Sequence, residues 1–560
     1  MTTDIKITRL SPEPALLADW LAKGKNPVVA SALASRGARP PTEILHYSRL
    51  KGAVEMAGVL ADAIEQRKRL LIVADYDCDG ATSCAIGMRG LAGFGADVSF
   101  IVPDRAVHGY GLSPAIAELA CGERPKPDYI VTVDNGIASH AGVQRAKELG
   151  VEVLVTDHHL PGASHPDAKV IVNPNQHGCS FPSKNLAGCG VIWYVMWALR
   201  DELARRGANP AELFDVRSLL PLVAVGTIAD VVRLDENNRV LVRNGLNMVR
   251  RGETFPGIDA LAKVAGREPR SLSTTDIGFG IGPRINAAGR LSDMSVGIEC
   301  LLTDSVPVAD DYAKRLGALN DERKGIESVM SEQALADLLT LDMHQLHSLT
   351  LHGATWHQGV VGIVAGRVKE LMWRPTFVFA EDDEGNYKGS GRSIPGFHLR
   401  DALDLVDRRN PGLILKFGGH AMAAGATVKA GGIPQFRDAF EQVARELLTP
   451  ELLQAEVVVD DSPAPHELTV ATVKAIRAEV WGQGFSEPLF RGTFDVLESR
   501  LIGDGKHLKL LLGKDGQVFD AVKFRFHGTA PESQADVVFK LDANTWNGKT
   551  KVQLLVEHLI

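Results

Sequence analysis

The sequence predicts an α/β protein with a mostly parallel sheet near its front and an all-β module at its end. Three observations carry that prediction. From about residue 46 to 160, apolar strand-like runs alternate with helix-like stretches at the spacing of βαβ units. Those runs (LLIVAD, VSFIVPD, YIVTVDNG and VEVLVTDHH) are apolar on consecutive residues, as strands buried on both faces are. From about residue 455 the character changes to short strands separated by Gly, Asp and Asn turns.

Length and composition set the frame. At 560 residues the chain has room for roughly three or four domains. With 45% hydrophobic and 23% charged residues it reads as an ordinary soluble globular protein. No window reaches the ~18 uninterrupted apolar residues of a membrane span, and the start, MTTDIKITRL, lacks the layout of a signal peptide. The six cysteines form no CxxC pair and read as reduced, mostly buried residues of a cytoplasmic protein. A net charge of −8 argues against unspecific coating of nucleic acid but leaves a local basic groove open.

In chain order, residues 1–45 read as an irregular lead-in punctuated by PEPALL and GARPPTE. The organising stretch is residues 70–80, LLIVADYDCDG. Its apolar run gives way to Asp75, Asp77 and Asp79 at alternate positions, then Gly80, then a helical pattern. A strand that ends in acids and turns into a helix places those acids in the crevice at the carboxyl edge of an α/β sheet. Crowded there, they repel one another unless a cation neutralises them. An EF-hand loop would need Glu at its twelfth position, where Ile86 stands. An aspartyl-phosphate phosphatase and a solvated acidic loop both remain open on this segment alone.

Helices are expected over 113–121 and 138–149. The third apolar run ends in Asp134-Asn135-Gly136 and the fourth in Asp157-His158-His159. Further on, the helical stretch GTIADVV sets Asp230 among Ile228, Ala229, Val231 and Val232, where a carboxylate is expensive to bury unless paired or ligated. Each taken singly has a bland reading, as a helix-terminal acid or a capped loop. Together they bring acids and imidazoles from separate β–α turns to one rim, as two divalent ions sharing carboxylates require. Mixed Asp and His ligands favour Mn²⁺ over an all-oxygen Mg²⁺ cage, with Mg²⁺ still open. Two such ions about 3.5–4 Å apart are a general device for phosphoester hydrolysis.

A helical pattern then runs over about 306–341, with dense charge between its apolar positions. On the C-terminal strands Lys506, His507, Lys509, Lys523, Arg525 and Phe526 interleave cations and aromatics, as single-strand platforms do.

DYDCDG, VDNG, TDHH and GTIADVV, in this order, resemble the four motifs of the DHH phosphoesterase superfamily. GPRINAAGR, WHQGVVGIVAGR, GSGRS and GGHAMAAG narrow the resemblance to the bacterial single-strand-specific exonucleases of that superfamily, over roughly residues 45–560. The resemblance implies a DHH catalytic domain over 46–305, a connecting helix over 306–345, a DHH-associated α/β domain over 346–450 and an OB-fold over 455–560. It implies metal ligation by Asp77, Asp79, Asp134, His158 and Asp230, joined by Asp75, with Asp157 and His159 as adjoining catalytic residues. Ser390 and Arg392 would hold the 5′ end. Gly419 and His420 would lie in a Gly-rich helix start that meets phosphate, and Arg105, Arg284 and Arg290 would line the backbone path.

The implied activity is metal-dependent 5′-to-3′ degradation of single-stranded DNA to 5′-mononucleotides, in recombination and repair. Two divalent ions serve as cofactors. Single-strand binding protein and a recombination helicase are the expected partners of a monomer. A phosphodiesterase for very short oligonucleotides or cyclic dinucleotides would not need the C-terminal platform. A binding scaffold with a vestigial site would have lost motif acids, and none is lost here.

Overall fold

The computed structural model describes residues 5–40, 43–103, 111–339, 345–503, 505–526 and 528–560. It divides into two compact units: Arg9–Ala318 with Val459–Ile560, and Leu319–Val458 with the N-terminal residues through Thr8.

The first unit is built on five parallel strands: β1 (Arg69–Ala74), β2 (Asp97–Ile101), β3 (Tyr129–Val133), β4 (Glu152–Thr156) and β5 (Val170–Val172). They lie in the order β2-β1-β3-β4-β5. The order reverses between β1 and β3, so the loops leaving these two strands part and open a crevice at their carboxyl ends. Leu70 through Ala74 are buried, as the unbroken apolar run required.

Helix α1 (Cys78–Gly93) follows β1 directly, with the Asp77 carboxylate accepting from Gly80 N at 2.9 Å as its N-cap. The helices expected over 113–121 and 138–149 are α2 (Pro114–Gly122), capped by Ser113, and α3 (His140–Glu148). Helix α4 (Gly188–Arg205) is apolar almost all round and is correspondingly buried. Helix α5 (Leu220–Ala229) ends with Asp230 as its C-cap.

The first 45 residues depart from expectation. Helices form over Pro14–Ala22 and Pro27–Ser35. Their prolines sit at the first helical turn, where the missing N–H costs nothing, so they mark helix starts and not breaks. Asn26 caps the second helix by accepting from Val28 N and Val29 N, and Trp20 Nε1 donates to Ala38 O at 2.8 Å.

Residues 459–489 also pack onto this unit before any barrel begins. Asp460 receives two guanidinium bonds from Arg36, and buried Glu479 pairs with Lys25 and with Arg243. The barrel itself comprises β11 (Phe490–Ile502), β12 (His507–Lys514), β13 (Gln517–Lys523), β14 (Gln534–Trp546) and β15 (Lys549–Leu559). It closes in the order β11-β12-β13-β15-β14, with β13 and β15 parallel.

The second unit has a mixed sheet, β9-β10-β8-β7-β6, made of β6 (Leu349–Gly353), β7 (Thr376–Glu381), β8 (Tyr387–Arg392), β9 (Ile414–Gly419) and β10 (Ala423–Val428). Phe377, Phe379, Phe436 and Phe440 form its aromatic core. One continuous helix, Val306–Leu338, supplies the pattern expected from 306 onward.

Candidate metal centre

Four chain segments deliver the acids and imidazoles to one place. Asp75 leaves the end of β1, and Asp77 and Asp79 occupy the start of α1. Asp134 follows β3, Asp157, His158 and His159 follow β4, and Asp230 ends α5. Ligand atoms cluster within 4.8 Å as Asp75–Asp77–Asp134, Asp134–His158–His159 and Asp79–His158–Asp230. Asp134 and His158 each belong to two of these groups.

Local backbone chemistry explains the convergence. Asp134 adopts a left-handed φ of 62°, a conformation that Asp tolerates better than most residues and that tends to persist at functional sites. Asn135 holds the turn by donating to Val73 O and Val133 O across β1 and β3. Asp79 is fully buried, and its carboxylate accepts from Gly188 N and Cys189 N at 2.6 and 2.9 Å, at the N-terminus of α4. A Cβ on Gly188 would stand 2.7 Å from Asp134 Oδ1, so only glycine lets that helix start approach.

The electrostatics separate the residues by role. His158 Nε2 lies 3.2 Å from Asp134 Oδ1, 3.6 Å from Asp230 Oδ2 and 3.9 Å from Asp79 Oδ2. Asp134 Oδ1, His158 Nε2 and Asp230 Oδ2 are all buried without a hydrogen-bond partner. Burial, then the neighbouring carboxylates, holds Asp134 and Asp230 far above the ordinary carboxylate range. Burial and the adjacent His159 push His158 down, toward the neutral imidazole that ligates metals. Orphaned buried oxygens and a neutral nitrogen converging at one place fit a divalent cation.

Asp157 is different. Its Oδ1 accepts from His158 N, His159 N and His159 Nδ1 at 2.7, 3.0 and 2.8 Å, and its Oδ2 accepts from Ile137 N at 2.8 Å. Burial works to raise it, but the bond and charge of His159 outweigh burial and keep it below the ordinary range. His159, which burial alone would lower, is carried by Asp157 up to about 9. His159 Nδ1 is thus committed to Asp157, although the ring also falls within one three-residue cluster. We read His158 as the ligand and His159 as an oriented, charged neighbour.

The arginines expected along the backbone path divide. Arg105 lies outside the described residues. Arg284 donates to Gly280 O at 2.7 Å and to Val264 O at 3.2 Å, bracing its own surroundings. Arg284 and Arg290 share α6 (Gly282–Leu291), and this helix presses on the acid loop. A Cβ on Gly289 would meet Tyr76 O at 1.9 Å, and Asn286 Oδ1 accepts from Cys78 N at 2.8 Å. Asn286 and Asn135 position the site; they stand inside GPRINAAGR and VDNG, but the sequence carries no signal for these positioning roles.

In the second unit Ser390 and Arg392 do share one face of β8, and Arg392 donates to Ser390 Oγ at 2.8 Å. Gly389 and Gly391 face the other way, where a Cβ would collide with Phe379 and Phe377. Gly362, in the first turn of the helix Val361–Met372, approaches so closely that a Cβ there would be 2.9 Å from Arg392 Nη2 and 3.0 Å from Ser390 Oγ. Guanidinium, hydroxyl and helix start therefore converge.

The Gly-rich segment with Gly419 and His420 is not a helix start. It is the turn of the β9–β10 hairpin, where Gly419 of β9 pairs with Ala424 of β10 and Ala423 of β10 pairs with Arg392 of β8. Gly419 has φ 142°, and a Cβ would be 2.5 Å from Ala423 O, so the glycine serves a tight antiparallel approach. The turn still lies beside Arg392.

On the barrel, Phe526 is buried and Lys523 is half-buried against Glu557 O, whereas Phe524, against which His507 packs, is 56% exposed. The exposed aromatic is thus two residues before the one anticipated, just past the end of β13.

An α/β crevice carrying this acid–histidine set defines a DHH-type phosphoesterase centre. Residues 69–227 match the DHH family, N-terminal domain, residues 343–446 the DHHA1 domain, and residues 459–558 the RecJ OB domain. The single-stranded-DNA-specific exonuclease RecJ of Salmonella typhimurium is 43% identical over 95% of this chain and 96% of its own. A crystal structure of RecJ in complex with Mn²⁺ from Thermus thermophilus superimposes with a TM-score of 0.82 at 32% identity, covering 100% of this chain and 80% of that one. The corresponding Mg²⁺ complex gives 0.77 at 30% identity, covering 99% and 78%. The chain belongs to the RecJ family.

Proposed function

We propose that this protein is a divalent-metal-dependent exonuclease that degrades single-stranded DNA from the 5′ end and releases 5′-mononucleotides. The observation that carries the reading is the convergence of Asp134 Oδ1, His158 Nε2 and Asp230 Oδ2, buried and without hydrogen-bond partners, beside Asp75, Asp77 and Asp79. Activity and substrate class are those named for the similar proteins.

Asp77, Asp79, Asp134, His158 and Asp230, with Asp75 alongside, are the residues that would hold the ions. Asp134 contributes ligand atoms to two of the three clusters, so it would be a ligand whichever of them is filled first. A bound pair of ions supplies an activated nucleophile and neutralises charge on the phosphoryl oxygens. Mn²⁺ suits the mixed donor set, and the similar solved structures hold Mn²⁺ or Mg²⁺. Asp157 fixes the ring of His159 and keeps it protonated near neutral pH, so His159 can offer an N–H and a positive charge to the reacting phosphate. In the second unit, Ser390, Arg392 and the Gly362 helix start suit a terminal 5′-phosphate.

Among the described residues no helix is long and apolar enough to cross a membrane. Cytoplasmic work on recombination and repair intermediates, as a monomer beside single-strand binding protein and a helicase, completes the reading.

The test is digestion of a single strand of some tens of nucleotides in Mn²⁺, labelled in parallel at either end. Immediate release of the 5′ label as a mononucleotide, with gradual shortening of the 3′-labelled strand, is the expected result. Release of the 3′ label first would overturn the polarity. An inert long strand beside rapid cleavage of dinucleotides would replace the exonuclease with a small-substrate phosphodiesterase.

A further inference from the structure

Phe279 is 82% exposed, the most exposed large apolar side chain among the described residues. Single exposed apolar residues are common, so its surroundings decide whether this one matters. It lies in a π-helical turn, Ile277–Ile281, a rare geometry that recurs at functional sites. Gly278 and Gly280 flank the ring.

The turn is seated on the end of α5. A Cβ on Gly278 would be 3.6 Å from Ile228 Cγ2, and one on Gly282 would be 2.9 Å from Ala229 Cβ. Ile228 and Ala229 are the two residues before Asp230. The residue after Asp230, Val231, is 60% exposed and held at a left-handed φ of 62°, costly for a β-branched side chain. Val231 thus adjoins the acid that α5 brings to the metal centre, and the turn that carries Phe279 packs on the two residues before that acid.

The turn is also braced. Arg284 donates to Gly280 O. Ser273 and Asp276 form a reciprocal capping box, and Arg267 pairs with Asp276 at 3.0 Å. These bonds fix the backbone on both sides of Phe279 and leave its ring in solvent, so its exposure is built into the turn.

Resting on the nuclease reading above, we propose that Phe279 is a stacking platform for a nucleobase of the single-stranded substrate, near the phosphodiester presented to the metals. The occupant follows from position and chemistry. The neighbouring centre acts on a phosphodiester, each phosphate of a single strand carries an unpaired base, and an aromatic face accepts any base regardless of sequence. A base already stacked in a duplex offers no free face, so the contact favours single strands.

The test measures KM and kcat on a single strand with all bases present, and on one with abasic sites near its 5′ end, for the wild type, Phe279→Ala and Phe279→Trp. Stacking predicts about a tenfold rise in KM for Phe279→Ala on the intact strand. It predicts wild-type-like KM for Phe279→Trp, and little difference between Phe279→Ala and wild type on the abasic strand. The Mn²⁺-induced shift in melting temperature serves as the folding control and should be the same in all three. A KM for Phe279→Ala within twofold of wild type on the intact strand would overturn the proposal, as would an equal loss on both strands. A wild type that cleaves neither strand would instead overturn the nuclease reading beneath it.

Discussion

Asp75 shows at the scale of one residue what the centre costs without a cation. Burial, then the Asp77 carboxylate, pushes it up to about 8, far above the ordinary carboxylate range. An acid raised on folding stabilises the fold below its unfolded pKa, and that contribution is lost as pH climbs toward the folded value. Metal-free protein should therefore melt at falling temperature between about pH 5 and pH 8. Added Mn²⁺ should raise the melting temperature more at the upper end, because protons compete for the same oxygens. A Mn²⁺-induced shift that does not vary with pH would show that these carboxylates are not the ligands. Asp157 invites a different test. Asp157→Asn keeps the shape but removes the charge holding His159 up to about 9. Turnover should fall about 10–100-fold, and the alkaline limb of the pH–rate profile should move to lower pH. A profile unmoved on that side would leave His159 without a protonated role.

At the scale of elements, glycines decide how closely the helices approach the acids. A Cβ on Gly226 of α5 would stand 2.2 Å from Thr82 Oγ1, 2.6 Å from Cys189 Sγ and 3.0 Å from Asp79 Oδ1. Gly226→Ala should destabilise the unit by about 1–3 kcal/mol and weaken Mn²⁺ binding, as calorimetry and metal titration would read. Unchanged stability with unchanged affinity would mean that the three-helix contact yields freely. Such contacts are not legible in the sequence. The strands around residues 70–74 and 129–133 are, because a doubly buried strand leaves an unbroken apolar run, and so are the acids at their ends. The hairpin holding Gly419 reads in sequence as a helix start because glycine signals close approach without saying what approaches. The helices before residue 40 escape a sequence reading because proline marks both breaks and first turns. Asn286 and Gly188 depend on packing between segments far apart in the chain, which local pattern cannot encode.

At the scale of the whole molecule, the C-terminal region does two jobs. Residues 459–489 belong to the packing of the first unit, through buried Asp460 on Arg36 and Glu479 on Lys25 and Arg243. The closed barrel begins only at Phe490. A chain ending at residue 489 should keep metal-dependent cleavage of short strands while losing affinity for long ones, with a flatter salt dependence. A chain ending at residue 455 should instead lose thermal stability, since it also loses the buried ion pairs of Asp460 and Glu479 and the buried apolar side chains Val473, Ile476 and Trp481. Equal binding of long strands with and without the barrel would return it to a purely structural role.

By the reading proposed above, acids and imidazoles from β1, β3, β4 and α5 form one site for a pair of divalent ions. Calorimetric titration of Mn²⁺ into metal-free wild type and Asp134→Ala, near pH 8, tests it most directly. Two equivalents per wild-type chain are expected, with weakened binding in the variant because Asp134 belongs to two of the three ligand clusters. A single equivalent in the wild type, or an unaltered isotherm in Asp134→Ala, would contradict the paired centre.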